Sequence, residues 1–312
     1  MKNDDFYSIA EKYRKKEIGR EETKVLFDAL KNQKKGASEL MRKPGHATSA
    51  EEIPDPSSST EIAVIGMSGQ FPDARDVDVF WQNLIRGHNS VHELSEQYLN
   101  QRRYYSIEKQ PGKTDCKWGG TLEQRDCFDP LFFNISPREA VSMNPHQRLI
   151  LQEGWKALED AGYRPKGYAD SKVGMFVGAE PSRYEHQTFT GASDAIIASR
   201  LSYFLNCRGP AMVVNTGCSS SGVAIHLACE SLRHEESSIA LAGGVFANLN
   251  QDVLIGLSEI GILSSTGLCR TFDEAGDGTV ISEGVGVVVL KRLRDAVSAG
   301  DHIYGVRTPP GR

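Results

Sequence analysis

Apolar positions near the start of the chain recur at helical spacing. Phe6, Ile9, Ala10 and Tyr13 fall on one face of a 3.6-residue period, and after a break at Ile18 and Gly19 the pattern resumes with Val25, Leu26, Ala29 and Leu30. Glu21 and Glu22 stand where acidic side chains suit the positive end of a helix dipole. One or two short amphipathic helices are predicted over residues 1–34. Residues 35–60 lose this rhythm and are rich in Pro, Ser, Gly and charge, which predicts a linker. From residue 61 the pattern is that of a compact domain running to residue 312. Short continuous apolar runs at 62–66, 173–178, 211–217, 239–245 and 285–290 suit buried strands. The run 145–162, PHQRLILQEGWKALEDAG, puts Leu151, Trp155 and Leu158 on one face, opens on Pro145 and stops at Gly162. Strands separated by helical patterns predict an α/β domain with covered sheets.

Residues 209–233, GPAMVVNTGCSSSGVAIHLACESLR, hold the candidate chemistry. A β-rich run enters Gly217, then Cys218, then serines and a helical run apolar nearly all round. This predicts a buried strand, a tight turn and a buried helix, with one thiol on the turn. At a helix amino-terminus unpaired N–H groups and the helix dipole stabilise an anion, which favours the nucleophilic thiolate. The same N–H groups suit an oxyanion on an attacked thioester. The plainer reading of these residues alone is a packed thiol beside a helix start.

Composition narrows the class. With 39% apolar and 25% charged residues the chain is ordinary globular protein, and a net charge of −5 offers no general attraction to nucleic acid or an anionic membrane. No apolar run is long enough for a bilayer, and the opening MKNDDFYSIAEKYRKK lacks a signal peptide's apolar core, so a cytoplasmic protein is expected. The six cysteines form no CxxC pair, so no zinc ribbon or dithiol is expected, and no metal or bound cofactor is implied.

The run NTGCSSSGVAIHLACESL resembles the active-site elbow of β-ketoacyl synthases, DTACSSSLVAIHLAC in modular polyketide synthases. The departures are Asn215 for Asp, Gly217 for Ala and Gly222 for Leu, the last expected to loosen the elbow helix. Residues 61–87 resemble the family's opening strand and first helix. Residues 128–163, with FFNISPREA and NPHQRLIL, and residues 198–221 and 242–293, with CRTFDEAGDG, continue the likeness in order as far as about residue 305. The wording around LSSTGLCRTFDEAGDG is most similar to ketosynthases of assembly lines served by a separate, trans-acting acyltransferase.

That resemblance implies the amino-terminal portion of a thiolase-like fold and a homodimer, with the strand around Met212 to Asn215 near the dimer axis. It implies that Cys218 is the catalytic nucleophile, taking an acyl chain from the phosphopantetheine arm of an acyl carrier protein before decarboxylative condensation with a malonyl-type extender. Residues 1–34 are a leader or a docking element for an upstream synthase subunit. The family's HGTGT and NIGH histidines do not occur here, and the closing PPGR is unlike a continuing strand. A chain truncated before its second half is therefore expected. The alternative function is a load-only or non-catalytic fragment that dimerises or docks. His226 on the elbow helix is expected in the core rather than in a Cys–His dyad, which leaves a cysteine hydrolase without a base. His146, His186, His234 and His302 are expected at the surface or in packing. GMSG at 66–69 falls short of a dinucleotide-binding GxGxxG. Asp273, Glu274 and Asp277 are expected in a solvated turn rather than on a cation.

Overall fold

A computed structural model describes residues 60–163, 171–181, 184 and 188–308. The leader expected over 1–34 and the linker over 35–60, Thr60 apart, lie outside the described residues.

The chain opens with strand β1 (Ile62–Gln70) and helix α1 (Val77–Arg86), followed by β2 (His92–Glu93), α2 (Gln101–Tyr104) and β3 (Trp118–Gly119). Helices α3 (Pro137–Ser142) and α4 (Pro145–Asp160) lead to β4 (Val173–Ala179), then α5 (Phe189–Ala192), α6 (Ile196–Leu205) and β5 (Ala211–Val214). Helix α7 (Ser220–Arg233), strand β6 (Ile239–Phe246) and helix α8 (Gln251–Ile260) come next. Strand β7 (Gly284–Arg292), helix α9 (Leu293–Ala299) and strand β8 (Gly305–Arg307) close the described chain.

Six strands form one mixed sheet in the order β5-β4-β6-β7-β1-β8. Strand β4 runs parallel to β5 and β6, while β7 is antiparallel to both β6 and β1. The period-two alternation of strand side chains divides the core. Met175, Val177, Leu241 and Val287 face α4 and α6, meeting Ile150, Leu158, Ile197 and Leu201. Phe176, Ala240, Ala242 and Leu290 point the other way, against Ala224, Ala228, Cys229 and Leu232 of α7. Helix α4 starts where predicted, with Pro145 in its first turn and the Asn144 side chain accepting from the His146 N–H at 2.8 Å.

Three expectations change. Strand β1 runs past the expected 62–66: after an irregularity in register it continues through GMSG to Gln70, paired with β7. Strand β5 is not a buried strand, because it pairs with β4 alone and sits at the sheet edge; Ala211 and Met212 are exposed and Val213 and Val214 half-buried. Helix α7 is buried on one side only: Ser221, Gly222 and His226 are exposed, and Val223, Ile225 and Leu227 are half-buried. Within the described residues His226 is thus exposed and joins neither core cluster on the faces of the sheet.

Urea denaturation tests this division of α7. Leu232→Ala, at a fully buried position, is expected to lose about 2–5 kcal/mol. His226→Ala, at an exposed one, is expected to change stability by no more than ~0.5 kcal/mol.

Candidate functional site

Between β5 and α7 the chain reverses through Asn215, Thr216, Gly217, Cys218 and Ser219. Gly217 has φ 65°, a left-handed conformation that glycine adopts without the steric cost of a Cβ. Its N–H donates to Asn215 Oδ1 at 3.1 Å, so asparagine here supplies the acceptor oxygen that an aspartate would. Ser219 directs its hydroxyl back to the Thr216 carbonyl at 2.9 Å and makes no side-chain cap on α7. The Ser220 hydroxyl donates to the Gly217 carbonyl at 2.6 Å and accepts from the Thr216 N–H at 2.9 Å.

The first turn of α7 lies directly on the sheet backbone. A Cβ placed on Gly178 of β4 would fall inside van der Waals contact with the Ser220 carbonyl carbon and the Ser221 nitrogen. One placed on Gly244 of β6 would collide with the Ser221 hydroxyl. The motif thus stands on two positions far from it in sequence. Reading VGMFVG and IALAGGV as apolar strand runs passes over them; their signal is a glycine near the carboxyl end of each of two neighbouring parallel strands.

Cys218 is exposed, as are Cys127 and Cys269, whereas Cys116 and Cys229 are buried and Cys207 half-buried. Burial pushes the Cys207 thiol up to about 11 and raises that of Cys116 as well. Within the described residues Cys218 is not packed: it stands exposed on a turn at the start of a 14-residue helix. His226, eight residues further along and pointing to solvent, stands about 12 Å away along the helix axis, too far for a dyad.

The other flagged residues resolve structurally. His146 is fully buried, accepts the Ala247 N–H at Nε2 (3.0 Å) and is pushed down to about 4 by burial. His302 packs edge-on against Tyr304, and His234 is exposed; His186 lies outside the described residues. FDEAGDG is a turn. Asp273 Oδ1 caps the Ala275 N–H at 2.8 Å, and Asp277 accepts from the Ser264 hydroxyl at 2.8 Å, the contact that does most to hold its carboxyl below the ordinary value. Among the described residues no group of three or more His, Cys, Asp or Glu could hold a metal ion, and no helix is long and apolar enough to cross a membrane. A cleft of about 680 Å³ lined by Phe133, Ile135, Arg200, Tyr203 and Phe204 does not include Cys218 in its walls.

Comparison with known proteins agrees with this geometry. The family described as "Beta-ketoacyl synthase, N-terminal domain" matches residues 59–296. Polyketide synthase PksL of Bacillus subtilis is 44% identical over 263 residues, which are 79% of this chain and 6% of that protein. Polyketide synthase ThaG of Burkholderia thailandensis is 43% identical over 268 residues, 82% of this chain and 5% of ThaG. The ketosynthase from module 6 of the bacillaene synthase of B. subtilis superposes with a TM-score of 0.76 at 42% identity, covering 79% of this chain and 43% of that one. The oxazolomycin ketosynthase domain OzmH KS7 of Streptomyces albus gives 0.75 at 37% identity, covering 79% and 45%. The chain therefore spans under half of the solved domains and a small fraction of the whole synthases. The fold is thiolase-like, as expected.

Two measurements test the site's physical basis. With limiting iodoacetamide at pH 8, peptide mapping is expected to find Cys127, Cys218 and Cys269 alkylated first. Cys207, with a thiol near 11, is ionised at roughly one part in a thousand there and is expected to lag by at least ~10-fold. Gly178→Ala puts a methyl group against backbone that no side-chain rotation can clear, and is expected to lose about 1–3 kcal/mol in urea denaturation.

Proposed function

This chain belongs to the β-ketoacyl synthase family, and from that premise we propose that it is the acyl-accepting part of a polyketide ketosynthase, with Cys218 as nucleophile. The single observation that carries this is the exposed Cys218 on a strand–turn–helix elbow whose sequence matches the family's. Its sulfur attacks the thioester carbonyl of an acyl chain on the phosphopantetheine arm of an acyl carrier protein. The carbon–sulfur bond to the arm breaks, the pantetheine thiol leaves with a proton, and the acyl chain remains on Cys218. The developing oxyanion lies within reach of backbone N–H groups at the start of α7, where Ser219 spends its hydroxyl on Thr216 instead of capping the helix.

Condensation then requires a malonyl-type extender, decarboxylation and stabilisation of the resulting enolate. The histidines that the family uses for those steps are not among these 312 residues. Loading is accordingly the step we assign to residues of this sequence, and condensation to the wider synthase. The same resemblance supports a homodimer and a trans-acting acyltransferase. Free cysteines throughout the described structure suit a cytoplasmic setting. No bound cofactor or metal enters the reading.

Incubation with an acyl-loaded carrier protein tests it. Intact-mass analysis is expected to show one acyl adduct on the native chain and none on Cys218→Ala. Equal adduct on Cys218→Ala would overturn the assignment.

A further inference from the structure

Residues on either side of Cys218 are tied together by one buried hydroxyl. Ser220 is 5% exposed, and its oxygen both donates to the Gly217 carbonyl at 2.6 Å and accepts from the Thr216 N–H at 2.9 Å. These are the two residues that bring the chain into Cys218. The Ser220 backbone N–H also donates to the Gly217 carbonyl, at 3.1 Å. That peptide is thus held from two directions by one residue. The hydroxyl pair of Thr216 and Ser219, at 2.9 Å, sits in an exposed part of the turn, where water competes for both partners. Behind Ser220 there is no room to yield, since its backbone rests on Gly178. The Asn215 and Ser219 side chains tie the exposed side of the turn, and Ser220 supplies its one buried side-chain tie, above the support at Gly178.

We propose, on the basis of the Cys218 reading, that Ser220 is the positioning residue of this site: its hydroxyl links the Asn215–Thr216 peptide, through the Thr216 N–H, to the Gly217–Cys218 peptide, through the Gly217 carbonyl, and thereby aims the Cys218 sulfur for acyl transfer. Without it the Thr216 N–H loses its buried partner and the Gly217 carbonyl keeps only the backbone donor, which leaves the turn to the exposed Asn215 and Ser219 ties and loosens the approach to Cys218. Misplacing a reacting atom by about 1 Å costs on the order of 100-fold in rate. The Cys218 sulfur remains present and exposed in such a variant, so binding of the thioester survives while its conversion slows.

The test uses the full chain with hexanoyl-N-acetylcysteamine as acyl donor, reading the rate of adduct formation per folded molecule. Ser220→Ala is expected to lower kcat for acylation by at least ~10-fold with KM within ~2-fold, and Ser220→Thr, which restores the hydroxyl, to recover most of the rate. Ser231 is a matched control: it is 3% exposed in the same helix and its hydroxyl pairs with that of Ser237 at 2.8 Å. Ser231→Ala is expected to lower stability and leave kcat unchanged. If Ser220→Ala does not fold, Ser220→Thr against Ser220→Val compares equal shapes that differ in the hydroxyl, and Thr is expected to be at least ~10-fold faster. Wild-type kcat in Ser220→Ala, or equal rates for Thr and Val, would overturn the proposal while leaving Cys218 as nucleophile. An adduct that forms equally on Cys218→Ala would instead defeat the underlying reading.

Discussion

A thiol on a tight reversal keeps one orientation only if the reversal itself cannot drift. Here the constraint is contact between helix backbone and sheet backbone. The first turn of α7 meets the sheet through its backbone at Gly178, and through the Ser221 side chain at Gly244. Below that contact Phe176, Ala240 and Ala242 meet Ala224, Ala228 and Leu232, so the rest of the helix follows from the same close approach. Small residues on both partners, alanines on the helix and glycines on the strands, are what let α7 sit so low. Cys218 then stands at the rim, outside the packed region, while Cys229, one face further down the same helix, is fully buried.

Much of this was legible in the chain itself. The apolar runs at 173–178, 239–245 and 285–290 became β4, β6 and β7, and 145–162 became α4 within two residues at its end. Those segments are central in the fold, where burial on both faces leaves a continuous apolar signature. The run at 211–217 has the same signature and a different fate, since β5 lies at the sheet edge and strand order is not written in local composition. The same gap explains α7. Its residues are apolar nearly all round, yet one side faces no described residue, and that exposes His226. Hydrophobicity records what a surface is made to contact, whereas exposure records what is in contact with it.

Within the site, Cys218 was identifiable because strand, glycine, thiol and helix follow one another directly. Gly178 and Gly244 were not, because each belongs to a distant strand and touches the elbow only after folding. Ser220 lies between these cases. It is inside the motif, but its bonds to Thr216 and Gly217 distinguish it from Ser219 and Ser221 only once burial is known. The departures from the family wording are mild in physical terms. Asn215 keeps the acceptor oxygen, and Gly222 is exposed with open space where a larger side chain would project.

The central claim is that the elbow, and not mere exposure, makes one sulfur the acyl acceptor. Cys127 and Cys269 are also exposed and lie outside helices. Peptide mapping of the chain after exposure to an isotopically labelled acyl-pantetheine thioester separates the two explanations. The account predicts label confined to the peptide that contains Cys218, with Cys127 and Cys269 unmodified over the same interval. Label distributed among the three exposed thiols in proportion to their accessibility would contradict it.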